Sequence, residues 1–308
     1  MMNSKAKALI IGFGSIGKKH FLALKELGFE VSVLSKSADE SLFEEFGSFE
    51  IYRFFEECDL SRFDYFIIAN ITTKHFETLK KLDSLVKDKI ILVEKPLFES
   101  YKSLNLQNKV FVAYLLRFNP ILQKLKELCV NLSIYNASIV CKSYLPWWRK
   151  GDYKQNYSAK KELGGGVLLD LSHELDYAMW LFGDLNLIFS KNATISELEI
   201  TSDDFAFLCF ESKKAFVSIS LDCFCKFNER KIIIDSKECS IKADLIGNFI
   251  EIYDVKQKCL RFDFEANTLL TLKALHKGVL NNDKNTPSLD QALKLLKICD
   301  KIKKENQR

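Results

Sequence analysis

Apolar residues fall into short unbroken blocks along the first third of the chain, and each block gives way to a stretch in which they return every three or four positions. Residues 6–11 (Ala-Lys-Ala-Leu-Ile-Ile) read as a buried strand, the run through His20, Phe21, Leu24 and Leu27 as a helix that stops at Gly28, and residues 30–34 as a second strand. Phe63 to Asn70, Lys89 to Val93 and Val110 to Ala113 repeat the rhythm. Strands alternating with amphipathic helices predict an α/β unit, a doubly wound parallel sheet covered by helices.

The pattern changes after Pro120. A helix to about Leu128 leads to the alternating stretch Leu132 to Tyr144, then to a loop rich in aromatic and charged residues from Pro146 to Lys161. The glycine triplet Gly164, Gly165 and Gly166 opens one helical run to Phe182, and strands are expected at 198–201, 205–211, 215–225, 230–235, 239–244 and 249–254. Two amphipathic helices, about 266–281 and 288–304, close the chain. The reading is an α/β domain over residues 1–119 and, over 120–308, an α+β domain with a large, mainly antiparallel mixed sheet that includes the C-terminal helices.

Composition narrows the function classes. With 308 residues, 47% hydrophobic and 28% charged, the chain has the make-up of an ordinary soluble globular protein. Its net charge of +4 comes from 45 basic and 41 acidic residues interleaved along the chain, which implies no nucleic-acid partner and still suits an anionic small molecule. Nine cysteines without a C-x-x-C pair are expected to be reduced and mostly buried. No stretch approaches the ~20 apolar residues that span a bilayer, so a cytoplasmic location without membrane contact is expected. No His, Cys, Asp or Glu group has metal-ligand spacing.

Chemistry enters at Gly12-Phe13-Gly14-Ser15-Ile16-Gly17, a G-x-G-x-x-G between a strand and a helix. There glycines permit the tight turn and backbone N–H groups receive a pyrophosphate. A nicotinamide dinucleotide is the expected cofactor. An NAD site usually ends its second strand in a carboxylate for the ribose hydroxyls. This chain has Ser35-Lys36-Ser37 instead, so NADP is favoured over NAD, with Asp39 the residue that would restore NAD.

Further blocks resemble the Gfo/Idh/MocA family of oxidoreductases, named for glucose-fructose oxidoreductase and inositol dehydrogenase. They are Asn70-Ile71-Thr72-Thr73-Lys74-His75, Glu94-Lys95-Pro96, Arg117-Phe118-Asn119-Pro120, the run from Gly164 to Asp176, and Trp180-Leu181-Phe182-Gly183. The loop after Pro146 looks like the branch associated with surface-sugar biosynthesis. The resemblance implies a hydride exchanged between the nicotinamide and a sugar, cyclitol or related polyol, in a homodimer or homotetramer packed through the C-terminal sheet. It also implies that Asn70, Ile71, Thr72, His75, Glu94 and Lys95 line the cofactor, and that the Lys95–Pro96 bond is often cis.

Oxidising a secondary alcohol needs a base for the hydroxyl proton and a positive group on the developing alkoxide. His173 and Lys95 are the candidates for these roles, with Asp170 orienting His173 from one helix face. The family usually places the histidine four residues after the aspartate. Here it follows by three, and Glu174 at the fourth position is an alternative base. The glycine run before His173 suggests close backbone approach to a ligand. Arg117, Asn119, Trp148, Arg149, Tyr153, Lys95, Asp170 and His173 are the candidate substrate contacts, since aromatic faces and charged forks suit a hydroxylated, phosphorylated ring. A non-catalytic nucleotide sensor or scaffold is the alternative.

Overall fold

A computed structural model describes residues 5–306. The chain divides into two compact units, one built from the residues up to Phe118 with Asn267–Leu293, the other from Asn119–Ala266 with the residues from Lys294 on.

The first unit opens with β1 (Lys7–Ile11), α1 (Ser15–Glu26), β2 (Glu30–Leu34), α2 (Phe43–Phe46), β3 (Ile51–Tyr52), β4 (Tyr65–Ile68), α3 (Thr72–Leu85), β5 (Ile90–Val93) and β6 (Lys109–Val112). Its six strands are parallel in the order β3-β2-β1-β4-β5-β6. Leu9, Ile10, Ile67, Ile68, Leu92 and Val93 are wholly buried. That is why these strands read as unbroken apolar runs, since a parallel sheet is covered on both faces. At about 1.5–3 kcal/mol for each such side chain, this core fixes the strand ends from which the loops spring. The short β3 carried no sequence signal, because two half-buried residues cannot show a period.

The second unit contains α4 (Pro120–Leu128), β7 (Ile134–Tyr144), α5 (Val167–Asp170), α6 (His173–Phe182), β8 (Asn186–Ala193), β9 (Phe205–Glu211), β10 (Phe216–Asp222), β11 (Phe224–Ser236), β12 (Cys239–Asp244), β13 (Phe249–Asp254) and β14 (Cys259–Asp263). The sheet order is β14-β13-β12-β11-β7-β10-β9-β8, with β7 and β10 parallel and every other pair antiparallel. The expected mainly antiparallel mixed sheet is therefore present. Ala137, Ile139, Val217, Ile219, Ile232 and Ile234 bury one face at strict period two.

Four features differ from the sequence reading. The strand expected over 215–225 ends at Asp222, and Phe224 already begins β11, which takes in the expected 230–235. Residues 198–201 are an ordered loop, its Thr201 N–H donated to Ala159 O rather than to a neighbouring strand. The two edge strands β8 and β14 escaped notice because none of their residues is buried, so neither shows an alternation. The single helix expected up to Phe182 is broken at Leu171 and Ser172 into α5 and α6, with Leu171 at φ −100°, ψ 27°.

The chain ends with α7 (Thr268–Leu280) and α8 (Leu289–Glu305). The change of pattern after Pro120 had placed both in the second domain. Instead α7 joins the first unit, where Leu272, Leu275 and Val279 complete the core around Phe13, Phe21 and Tyr65. A Lys273–Glu26 ion pair at 2.7 Å ties it to α1. All nine cysteines are free thiols. No helix among the described residues is long and apolar enough to cross a membrane.

Candidate active site

The phosphate loop leaves β1 at Gly12, whose φ of +98° and close approach to Asn70, 2.6 Å from an added Cβ to its backbone, require glycine. A Cβ on Gly17 would stand 2.3 Å from the Gly12 carbonyl oxygen. Both glycines are thus demanded by the chain itself. Gly14 is different: its φ is −76°, and among the described residues, its chain neighbours aside, no atom lies within 4 Å of where its Cβ would be. A glycine there makes sense for a partner that approaches the backbone from outside, as a pyrophosphate does at the start of a helix.

The loop's side chains do not all share that task. Phe13 packs edge-on against Phe21 and Phe46, at 5.6 and 5.5 Å between centroids, and Ile16 joins the same core. Only their backbones are left for a cofactor, whereas Ser15 is exposed. Asn70 donates to Thr78 Oγ1 at 2.8 Å, while its Oδ1 is buried without a hydrogen-bond partner among the described residues. Such an acceptor at the carboxyl end of β4 suits a donor from a bound dinucleotide. On both counts the residues fit a nicotinamide dinucleotide.

At the carboxyl end of β2, Ser35 N–H bonds Tyr52 O, which sets Ser35-Lys36-Ser37 beside the residue after β3, Arg53. The Arg53 guanidinium donates to Lys36 O at 2.7 Å, Ser35 and Ser37 hydroxyls lie 3.3 Å apart, and Lys36 Nζ rests 5.1 Å from the Phe54 ring. Two cations and two hydroxyls gather there. Sequence reasoning missed Arg53 because it lies well beyond the second strand, after a strand too short to read. Asp39 accepts from the Ser41 hydroxyl and from Ser41 N–H at 3.0 Å, and these bonds, the hydroxyl's first, hold its carboxyl below the usual range.

Ile71 is exposed, Thr72 begins α3, and His75 is buried among carbonyls. Its Nε2 lies 3.0 Å from Asn70 O, and its Nδ1 lies 3.1 Å from Pro96 O and 3.2 Å from Leu97 O. Burial holds its pKa below the ordinary value even though these carbonyls favour the protonated ring. His75 therefore staples the loop after β4 to the loop after β5.

Glu94 and Lys95 follow β5, and the Lys95–Pro96 bond is cis. Glu94, 5% exposed, accepts from Lys95 N–H at 3.1 Å and has His20 Nε2 at 2.8 Å from its other oxygen. His20 Nδ1 lies 2.9 Å from His276 Nε2, and His276 Nδ1 lies 2.9 Å from the Tyr65 hydroxyl. Neither Tyr65 nor His276 stood out in the sequence, because they lie far from Glu94 and outside any motif. Arg117 is buried and donates to Gln291 at 2.8 Å.

In the second unit, Asn119 Oδ1 accepts from Ile121 N–H at 2.9 Å, so this candidate substrate contact is the N-cap of α4. Trp148 Nε1 donates to Ser143 Oγ at 2.9 Å, and the Tyr153 hydroxyl accepts from Glu199 N–H at 3.3 Å. Arg149 lies over the Tyr157 ring, 4.6 Å from its centroid, and donates to Ser158 Oγ at 3.0 Å. Burial, aided by the charge of Asp170, pushes the Tyr157 phenol up to about 12.

The glycine run before His173 has internal causes. A Cβ on Gly165 would meet Tyr157 O at 2.2 Å, and one on Gly166 would meet the Asp203 carboxylate at 2.2 Å. The expected approach of a ligand is not needed to explain it. Asp170 ends α5 and His173 starts α6, so the shared helix face expected for that pair does not exist, although both are buried. Glu174, fully buried, receives Arg230 Nε at 2.6 Å and Arg230 Nη2 at 3.1 Å. Bound in this way it is no stand-in for a base, and His173 keeps that candidacy.

Residues 138–242 match the family model described as the GFO/IDH/MocA C-terminal domain. That match lies within the second unit, from β7 to β12, and agrees with the resemblance read from the sequence. No curated protein matches the chain by sequence. Among solved structures it is similar to the WlbA dehydrogenase from Bordetella pertussis in complex with NADH and UDP-GlcNAcA, with a TM-score of 0.77 and 16% identity over 98% of this chain and 97% of that one. An oxidoreductase from Agrobacterium radiobacter in complex with NAD+, L-tartaric acid and magnesium gives a TM-score of 0.81 and 16% identity over 99% and 97%. The super-repressor mutant of Gal80p from Saccharomyces cerevisiae gives 0.81 and 15% over 99% and 96%. The fold is therefore the one these proteins share.

Proposed function

We propose that the chain is a nicotinamide-dependent oxidoreductase that passes a hydride between its cofactor and a secondary alcohol or ketone of a sugar, sugar phosphate, nucleotide sugar or cyclitol, in the making of surface glycans. The observation that carries this reading is Gly14, a glycine that no contact within the chain demands. Gly12 to Gly17 would hold the pyrophosphate, with Asn70 and Glu94 toward the nicotinamide half. The cofactor, when bound, supplies the hydride acceptor or donor. Every other step belongs to the protein. His173 takes the proton of the reacting hydroxyl, and the Lys95 ammonium steadies the oxygen as its charge develops. In the reverse direction His173 returns the proton.

NADP is the favoured cofactor. Lys36 and Arg53 present two positive charges and Ser35 and Ser37 two hydroxyls, a set suited to a 2′-phosphate. For the substrate, Arg149 over Tyr157 suits an anionic sugar derivative, and the UDP-GlcNAcA bound by the Bordetella relative supports a nucleotide sugar. Phe189, Phe207, Phe216, Ile233 and Tyr253 stand exposed on one face of the large sheet, which supports a homodimer or homotetramer with the mass of two or four chains by light scattering.

The test is turnover of NADP+ and NAD+ with a panel of sugars, sugar phosphates, nucleotide sugars and inositols, followed by the absorbance of the reduced nicotinamide. Turnover with one class identifies the substrate. Cofactor binding without turnover in either direction would instead favour a sensor or scaffold.

A further inference from the structure

Across the first sheet the strand order, with the phosphate loop at β1 and the ribose-facing residues at β2, puts the nicotinamide half of a dinucleotide over the ends of β4 and β5. Glu94 is the residue that ends β5. Its carboxylate pairs with no ammonium or guanidinium among the described residues and has two donors, the Lys95 N–H and the His20 ring. Behind His20 runs a chain that passes from α1 to α7 and back to the start of β4, with all three of its rings fully buried.

The polarity of that chain follows from its far end. Among the described residues the Tyr65 hydroxyl has His276 as its hydrogen-bond partner, and burial raises the phenol well above its ordinary pKa, so Tyr65 is a neutral donor. His276 Nδ1 must then accept. Burial, with the neighbouring His20, holds His276 well below its ordinary pKa, which leaves one proton on Nε2. That proton points at His20 Nδ1, and the remaining His20 proton, on Nε2, points at Glu94. Each tautomer fixes the next, and the series ends in a donor aimed at a carboxylate.

We propose that Tyr65, His276 and His20 are positioning residues that lock Glu94 as an oriented carboxylate at the nicotinamide half of the cofactor groove, so that the protein favours the oxidised, positively charged ring over the neutral reduced one. This rests on the nicotinamide reading above. A negative charge fixed in a buried site attracts the cationic ring and has little effect on the neutral one. Loss of the charge, or of the chain that fixes it, changes one affinity and spares the other. A merely structural role would weaken both alike.

The experiment measures dissociation constants of NADP+ and NADPH for the wild-type protein, Glu94→Gln, His276→Leu and Tyr65→Phe, together with long-range proton–nitrogen NMR of the imidazoles. With four histidines in the chain, assignment by single substitution is direct. The expected result is Nε2–H on both His20 and His276, and a preference for NADP+ over NADPH that falls about fivefold or more in Glu94→Gln. His276→Leu falls in the same direction, and Tyr65→Phe moves the His276 nitrogen shifts. Should the two larger variants fail to fold, Tyr65→Phe and the wild-type tautomers still decide. Nδ1–H on His20 overturns the proposal. Equal losses for both nucleotides in Glu94→Gln overturn it while the oxidoreductase reading stands, and binding of neither nucleotide to the wild-type protein overturns both.

Discussion

Glu94 and Glu174 are both buried carboxylates, each beside a residue proposed to act on the substrate, Lys95 in one unit and His173 in the other. They are held in opposite ways. Glu174 meets a guanidinium in a two-pronged pair, so its charge is cancelled where it stands. Glu94 is held by neutral donors, the end of an imidazole chain and a backbone N–H, so its charge is fixed in place without being cancelled. The first arrangement stabilises a fold. The second leaves a field that a bound molecule can feel, at the price of little stability.

The largest expected effects concern their neighbours. His173→Ala should lower turnover by up to about 10⁴-fold, as loss of a general base does. Lys95→Ala should lower it by about 10²–10³-fold, as loss of one stabilising donor does. In both, cofactor titration should be nearly unchanged.

Next comes the comparison itself. Glu174→Gln should cost about 3–5 kcal/mol by leaving Arg230 half-buried and unpaired, read as a fall in thermal midpoint. Glu94→Gln should cost only about 1 kcal/mol, since a neutral acceptor can still take the His20 proton. Equal losses would erase the contrast.

Acid separates the two units further. His75 and His276 both have pKa values held below the ordinary 6.5 by burial, so the unfolded chain takes up protons there that the folded one refuses. Stability should be unaffected by these groups above about pH 6.5 and fall below it, by up to about 1.4 kcal/mol per pH unit for each ring. His276→Asn should remove one ring's share of that slope in an acid titration of stability. The smallest effect is Tyr65→Phe, about 1 kcal/mol for one buried hydrogen bond, checked by the same thermal midpoint.

Much of this architecture was legible because burial writes itself into the order of residues. Strands such as β1 and β4, covered on both faces, gave unbroken apolar runs, and β9 and β10 gave alternation because one face is buried. The edge strands β8 and β14 bury little and so left no period. Glycine was legible as a residue type and not as a reason. Gly14 faces open space as a phosphate loop requires, whereas Gly165 and Gly166, taken for signs of a ligand, make room for the chain's own carbonyls and Asp203. The hidden part of the site is whatever packing brings together over long separations: Arg53 beside Lys36, Arg230 on Glu174, and His276 against His20. The break between α5 and α6 was invisible too, since the apolar pattern runs through it unbroken.

The most direct test of the central claim is a fluorescence titration of the wild-type protein and Gly14→Ala with NADPH and NADH. The expected result is saturable binding of a reduced nicotinamide dinucleotide, tighter for NADPH, and much weaker in Gly14→Ala at an unchanged thermal midpoint. Absence of binding for both nucleotides, or a Gly14→Ala variant that binds as well as the wild type, would contradict the account.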